Sequence, residues 1–177
     1  DRRFSSIEVV TLRRARCRHS GVLMETAPLE LAYRRHAAEL TRYATVLVGP
    51  NDASDVVTDA MIRVFSSALD MSAVANMRAL LFRAVYHAVI DHQRSAARRR
   101  RREARFEQQG DRPLTESSFD ARAVLGVLTV QQRTVVFLTY WCDQTPGDIA
   151  VVLGVSDGTV RKQLARARAR LREVLDD

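Results

Sequence analysis

A segment near the C-terminal end of this 177-residue chain places basic side chains along one face of a helix. At about 100° per residue, its apolar residues form a narrow stripe made of Val160, Leu164, Ala167, Leu171 and Val174. Arg161, Lys162 and Arg166 fall on the opposite side. An exposed basic face near a helix N-terminus suits the DNA major groove, because guanidinium groups fit phosphate and guanine. The segment is predicted to bind DNA, and a solvated basic face is the alternative.

The residues just before this helix have the spacing typical of a helix-turn-helix unit. A short helix is predicted over Pro146–Leu153, where Thr145 supplies an N-cap hydroxyl. Gly154 ends the short helix, and Ser156 caps the basic helix that follows. An ordinary helical hairpin has a similar pattern, so that alternative stays open at this point.

Two further groups of charged residues lie earlier in the chain. Asp55 and Asp59 are four residues apart, so they share one face of a predicted helix. A long predicted helix follows and ends in five consecutive arginines at 98–102. These arginines predict nonspecific contact with phosphates, and a solvated helix end is the alternative.

Residues that could catalyse a reaction or hold a metal have no suitable spacing. The chain has two cysteines, Cys17 and Cys142, and four histidines, at positions 19, 36, 87 and 92. Neither set shows the pattern of a zinc site or of a nucleophile beside a base. We therefore predict no catalytic residue, no metal and no cofactor, and a protein that is not an enzyme.

The charge balance favours a nucleic-acid partner. The formal net charge is +7, and Lys162 is the only lysine beside many arginines. A genomic preference for arginine codons is the alternative explanation. No apolar run approaches the roughly 18 residues that a membrane span needs, so we predict no membrane insertion and a cytoplasmic location.

The elements that must position these residues are all helical. Apolar residues recur at helical spacing in three segments, over 29–48, over 56–65 and over 77–101. Gly49–Asp52 is predicted to be a turn, after which Asp52 or Ser54 caps the second helix. No strand of convincing length is found, so the predicted fold class is all-α.

A change of composition divides the chain into two small helical domains. The stretch after the arginine run is acidic and contains Gly110 and Pro113, which is typical of a flexible linker. The predicted segments are an N-terminal extension that is disordered or foreign to the protein (1–25), a first domain (26–105), the linker (106–117) and a second domain (118–177).

These motifs resemble those of bacterial RNA polymerase sigma factors of the sigma-70 family. The segment Asp148–Arg161 resembles region 4 strongly, and Ala53–Asp59 resembles region 2. Since a short linker separates the two, the chain resembles the small extracytoplasmic-function (ECF) group. The resemblance implies an alternative sigma factor that binds core polymerase and directs initiation at −10 and −35 promoter elements. The alternative is a helix-turn-helix transcriptional regulator with an unrelated helical input domain.

The resemblance also implies a role for individual residues. The residues that match the contact with core polymerase are Asp55, Thr58 and Asp59, where the family usually has Gln and Glu at the last two positions. The residues that match the −10 surface are Arg78, Arg83, His87 and Arg94. The residues that match the −35 surface are Ser156, Thr159, Arg161, Lys162 and Arg166.

The partners implied by the resemblance are core RNA polymerase, promoter DNA and an anti-sigma factor. On the polymerase, the family uses the clamp helices of the largest subunit and the flap. Two residues near the expected edge of melted DNA depart from the family: Leu80 stands at a common Trp position, and His87 at a common Asn position. Nothing in the sequence identifies the promoter or the inhibitor.

Overall fold

The computed structural model describes residues 27–67, 73–103 and 121–176. Across these residues the prediction of an all-α fold is confirmed, with seven helices and no strand. The helices are α1 (Ala27–Val48), α2 (Pro50–Phe65), α3 (Met77–Glu103), α4 (Ala121–Gly126), α5 (Val130–Tyr140), α6 (Pro146–Leu153) and α7 (Asp157–Leu175). The predicted extension at 1–25 and linker at 106–117 lie outside the described residues.

Helices α1, α2 and α3 form a first bundle around an apolar core. Apolar residues recur three and four positions apart along each helix, so one face of each helix is buried. The side chains with no exposure include Leu40, Ala60, Leu81, Phe82 and Val85. Because burial uses only one face, α2 and α3 keep a second face at the surface, and that face carries the charged residues.

The start of α2 differs from the sequence prediction. The helix begins at Pro50 and its N-cap is Gly49, so the predicted four-residue turn with a cap at Asp52 or Ser54 is wrong. The reason is local: Gly49 adopts φ 98°, which reverses the chain within one residue. Proline then fits the first helical position, since its fixed φ is helical and its missing N–H is not needed there.

Helices α4 to α7 form a second bundle, in which side-chain caps fix the starts of α5 and α6. Thr129 and Gln132 make a reciprocal capping box at the start of α5. Thr145 and Asp148 make another at the start of α6, where Thr145 Oγ1 lies 2.6 Å from the carboxylate. These caps satisfy backbone donors that the helices themselves leave free, so α5 and α6 begin at defined residues.

The two bundles pack directly against each other. The Tyr43 ring of α1 lies 5.2 Å from the Phe82 ring of the first bundle and 5.3 Å from the Phe137 ring of the second. Helix α6 packs on α3, and α5 packs on α1. One continuous apolar core therefore extends through both bundles.

Candidate nucleic-acid and protein interfaces

The basic helix α7 is held by a helix-turn-helix turn at its N-terminus. Gly154 closes α6 in the left-handed conformation, with φ 66° and ψ 37°. The Val155 amide then donates to the Ala150 carbonyl at 3.1 Å. Ser156 caps α7 by accepting from the Thr159 amide, and the two hydroxyls lie 2.9 Å apart. The predicted turn and caps are confirmed.

The apolar residues of α7 and its basic residues lie on opposite faces of the helix, as the angular pattern predicts. Val160 and Ala167 are buried, and Leu164 and Leu171 are half-buried against the rest of the second bundle. Val174, which closes the predicted stripe, is 39% exposed. The opposite face is open to solvent and carries Arg161, Lys162 and Arg166. The exposed cations occupy the first three turns of α7, which is the part of a recognition helix that meets base edges.

Three of the four residues matched to the −10 surface share one exposed face of α3. Arg83, His87 and Arg94 are four and seven residues apart, a spacing that returns to the same side of a helix. Burial and the neighbouring Arg83 lower the pKa of His87 below its usual value. His87 is therefore mostly neutral at pH 7 and presents a hydrogen-bonding ring between two cations.

The fourth residue, Arg78, lies apart from this face. Its guanidinium binds the Glu39 carboxylate of α1, with Nε 3.3 Å from Oε2. Hydrogen bonds from Arg78 lower the pKa of Glu39 against the raising effect of burial. Arg78 also lines a small polar cleft with Gln144 and Asp148 of the second bundle. The structure thus brings three of the four residues together and places the fourth at the contact between bundles.

The acidic residues of α2 form a continuous exposed strip. Asp55, Thr58 and Asp59 are all at the surface of this helix. Ile62 lies four residues after Thr58 and is 57% exposed, so an apolar side chain extends the strip. Ile62 was not among the residues predicted from the sequence for this surface, although its spacing of seven residues from Asp55 and three from Asp59 places it on the same side of the helix.

Fold and site together define a class: an all-helical protein with two packed bundles, an acidic helix face in one and a basic helix-turn-helix in the other. Residues 118–171 match the family described as Sigma-70, region 4. The ECF RNA polymerase sigma factor SigL of Mycobacterium tuberculosis is 30% identical over 164 residues, covering 86% of this chain and 92% of SigL. The RNA polymerase sigma-E factor of Streptomyces coelicolor is 32% identical over 158 residues, covering 85% and 88%. The chain belongs to the ECF sigma factors of the sigma-70 family.

Two solved structures have a similar fold. The sigma factor RpoE, in a complex with the anti-sigma factor NepR from Bartonella quintana, superposes with a TM-score of 0.63 at 23% identity, covering 84% of this chain and 97% of that chain. CnrH, in complex with the cytosolic domain of CnrY, superposes with a TM-score of 0.59 at 27% identity, covering 84% and 87%. Both comparisons extend over both bundles.

The protein is an alternative sigma factor that directs promoter-specific transcription. The relatives match across both halves of the chain, which disfavours a regulator whose first domain is unrelated to sigma factors. Sigma factors are not enzymes: they give promoter recognition to core RNA polymerase. Within the described ranges, no helix has the length and apolar character to cross a membrane.

Proposed function

We propose that the exposed strip of α2 docks on the clamp helices of the polymerase's largest subunit. The observation that carries this proposal is that two exposed carboxylates, Asp55 and Asp59, lie beside the exposed apolar side chain of Ile62. Interfaces combine an apolar centre with a polar rim whose charges complement those of the partner, so a surface that meets these two acids is expected to be basic. Thr58 lies between the two acids and replaces a longer residue of the family.

The exposed α3 face is proposed to bind the −10 element. Arg83 and Arg94 supply positive charge at its two ends, and His87 lies between them. Cations of this kind follow phosphates along a strand, and neutral polar groups contact unstacked bases. Arg78 is assigned to the same surface by its position in the family pattern. In this conformation its guanidinium is paired with the Glu39 carboxylate.

The N-terminal turns of α7 are proposed to read the −35 element in the major groove. Arg161, Lys162 and Arg166 are exposed together, and Ser156 and Thr159 place hydroxyls at the helix start. An arginine can bind guanine O6 and N7 with two parallel hydrogen bonds. Hydroxyls and amides at a helix N-terminus suit the phosphates on either side of the groove.

Further partners follow from family membership. An anti-sigma factor is proposed because the sigma factor RpoE, which has a similar fold, was solved in complex with the anti-sigma factor NepR. Contact of the second bundle with the polymerase flap is proposed on the family pattern. Since its partners are the transcription machinery, the protein is proposed to act in the cytoplasm.

The α2 strip is tested by reversing its charge. The double variant Asp55→Arg/Asp59→Arg faces a basic surface with two new cations, and like charges across an interface cost several kcal/mol. We expect its affinity for core polymerase to fall by roughly 100-fold or more, with loss of run-off transcription. The measurement is competition with the parent chain for core polymerase.

A matched control carries the same charge change elsewhere. The single variant Asp59→Arg is compared with Glu30→Arg, which alters one exposed acid at the start of α1, outside both proposed polymerase contacts. Glu30→Arg is expected to compete for core as the parent does. If the α2 variants also compete like the parent, the docking surface is placed wrongly.

A further inference from the structure

The basic helix α7 begins with an acid. Asp157 is its first residue, and the next acid of the helix is Glu173, in the last turn. Six basic residues lie between them: Arg161, Lys162, Arg166, Arg168, Arg170 and Arg172. DNA phosphates repel a carboxylate, so an acid at the end of the helix that enters the groove weakens binding to DNA of any sequence. The charge of Asp157 is thus opposite to the charge that nonspecific DNA binding favours.

The Asp157 carboxylate is paired with Arg161. Arg161 Nη2 donates to Asp157 Oδ2 at 2.9 Å across one turn of the helix. The other carboxylate oxygen, Oδ1, is buried and accepts no hydrogen bond within the described part of the chain. Among the described side chains, Arg161 is therefore the one that neutralises the charge of Asp157.

This pairing affects one of the three cations proposed to read the −35 element. Lys162 and Arg166 make no ion pair within the described ranges, so their full charge is available to phosphates. Arg161 instead lies within hydrogen-bond distance of a carboxylate. Toward a phosphate on the DNA backbone, the Asp157–Arg161 pair has no net charge, because the two opposite charges lie close together.

Guanine and phosphate respond differently to such a pair. A phosphate is attracted to a guanidinium mainly by charge, and the Asp157 carboxylate opposes that attraction. A guanine is neutral, and its O6 and N7 accept two parallel hydrogen bonds that a nearby carboxylate does not oppose. The pair thus weakens a contact that every DNA offers and spares a contact that depends on the base. Repulsion against the wrong partner raises specificity.

We propose that Asp157 is a specificity-determining residue for the −35 element: its carboxylate cancels the charge that Arg161 presents to phosphates and leaves the hydrogen bonds of Arg161 to a guanine. The inference rests on the proposed role of α7 in reading the −35 element. Asp157 acts through Arg161 and touches no base itself. An acid at a helix N-terminus also interacts favourably with the helix dipole, and that role alone would affect binding to all DNA equally.

The first arm of the experiment removes the carboxylate charge from the full-length chain. Asp157→Asn keeps the size of the side chain, and Asp157→Ser is a second neutral variant that suits a helix start. Fluorescence anisotropy measures affinity for two duplexes of equal length, across a salt series. One is a −35 duplex that the parent selects from random sequences, and the other is its scrambled version.

Both neutral variants should lose selectivity. We expect them to bind the scrambled duplex about fivefold more tightly than the parent does, and the selected duplex at most about twofold more tightly. The salt slope on the scrambled duplex should steepen by about one, because Arg161 gains a phosphate contact there.

Three matched variants test whether the charge acts through Arg161. Asp157→Glu keeps the carboxylate and should select between the duplexes as the parent does. Glu173→Gln makes the same charge change about 24 Å further along α7, so it should affect both duplexes equally. In an Arg161→Ala background, Asp157→Asn should leave the ratio of the two affinities unchanged. Far-UV circular dichroism should show the helix content of the parent in every variant.

Two results would overturn the proposal. If the neutral variants change both affinities by the same factor, or change neither, the carboxylate does not discriminate between sequences. If they weaken binding to the selected duplex alone, Asp157 orients Arg161 instead of cancelling its charge. Failure of the proposed function would differ from both: the parent itself would show no preference between the duplexes, or Arg161→Ala would change neither affinity.

Discussion

At the scale of single residues, the arginines of α7 differ in how firmly neighbouring side chains hold them. Arg161 pairs with Asp157 at 2.9 Å; the Arg161 side chain is 70% exposed and that of Asp157 is 45% exposed. Exposed pairs contribute little to stability, so the guanidinium can exchange this partner for a base at small cost. Arg168 differs, because it donates to the Tyr140 hydroxyl at 2.7 Å and lies over that ring. Arg168 is therefore assigned to packing rather than to DNA.

Substitution of single arginines separates base contact from phosphate contact. Arg161→Ala or Arg166→Ala is expected to cost about 1–3 kcal/mol on a −35 duplex selected by the protein, and less on scrambled DNA. Arg172→Ala is the control, since Arg172 lies on the same face as Arg161 but about 16 Å further along the helix. Binding is measured across a salt series. Equal losses on both duplexes, with the salt slope reduced by about one, would indicate phosphate contact alone.

His87 gives a residue-scale prediction about pH. Its pKa is lowered in the folded chain by burial and by Arg83, whereas the unfolded chain has the ordinary value. As pH falls through that ordinary value, the unfolded chain binds the proton more readily, so the contribution of neutral His87 to stability is lost. Urea unfolding at pH 7.5 and at pH 5 should show a smaller loss for His87→Asn than for the parent. An equal loss in both proteins would contradict this account.

At the scale of elements, local chemistry made most helices predictable. Thr129, Thr145 and Ser156 each act through a side chain that bonds a backbone amide within three residues, so the signal lies in the sequence itself. The start of α2 was not predictable in this way, because Asp52 and Ser54 are equally good caps in isolation. Only the positive φ of Gly49 moves the start to Pro50.

The turn between α6 and α7 is tested by two glycines with opposite expectations. Gly154→Ala puts a Cβ into the left-handed conformation, which costs about 1–2 kcal/mol. Gly158→Ala is the control: Gly158 lies within α7 with open space around it, so alanine should stabilise the helix by up to about 1 kcal/mol. Urea unfolding measures both. A neutral Gly154→Ala would mean that the turn does not need its left-handed residue.

At the scale of the whole molecule, sequence patterns indicated two helical domains but not the contact between them. In the sequence, Tyr43 has the position of an ordinary core residue of its helix. Thr134 has the position of an ordinary residue within another helix. Their hydrogen bond joins positions 91 residues apart, and no local spacing encodes it. The same holds for Arg133, whose acceptors are backbone carbonyls and therefore leave no trace in residue type.

The shared core predicts that the two bundles unfold together. The Tyr43 ring lies between Phe82 and Phe137, so unfolding either bundle exposes apolar surface of the other. Differential scanning calorimetry of the full chain should show one transition with a calorimetric enthalpy equal to the van't Hoff enthalpy. The double variant Arg133→Ala/Thr134→Val weakens the contact between the bundles. It should raise the ratio of calorimetric to van't Hoff enthalpy above one, whereas Arg42→Ala should leave this ratio unchanged. Two separate transitions in the parent would show that the bundles fold independently, and the packing of α5 on α1 would then add little to the stability of either.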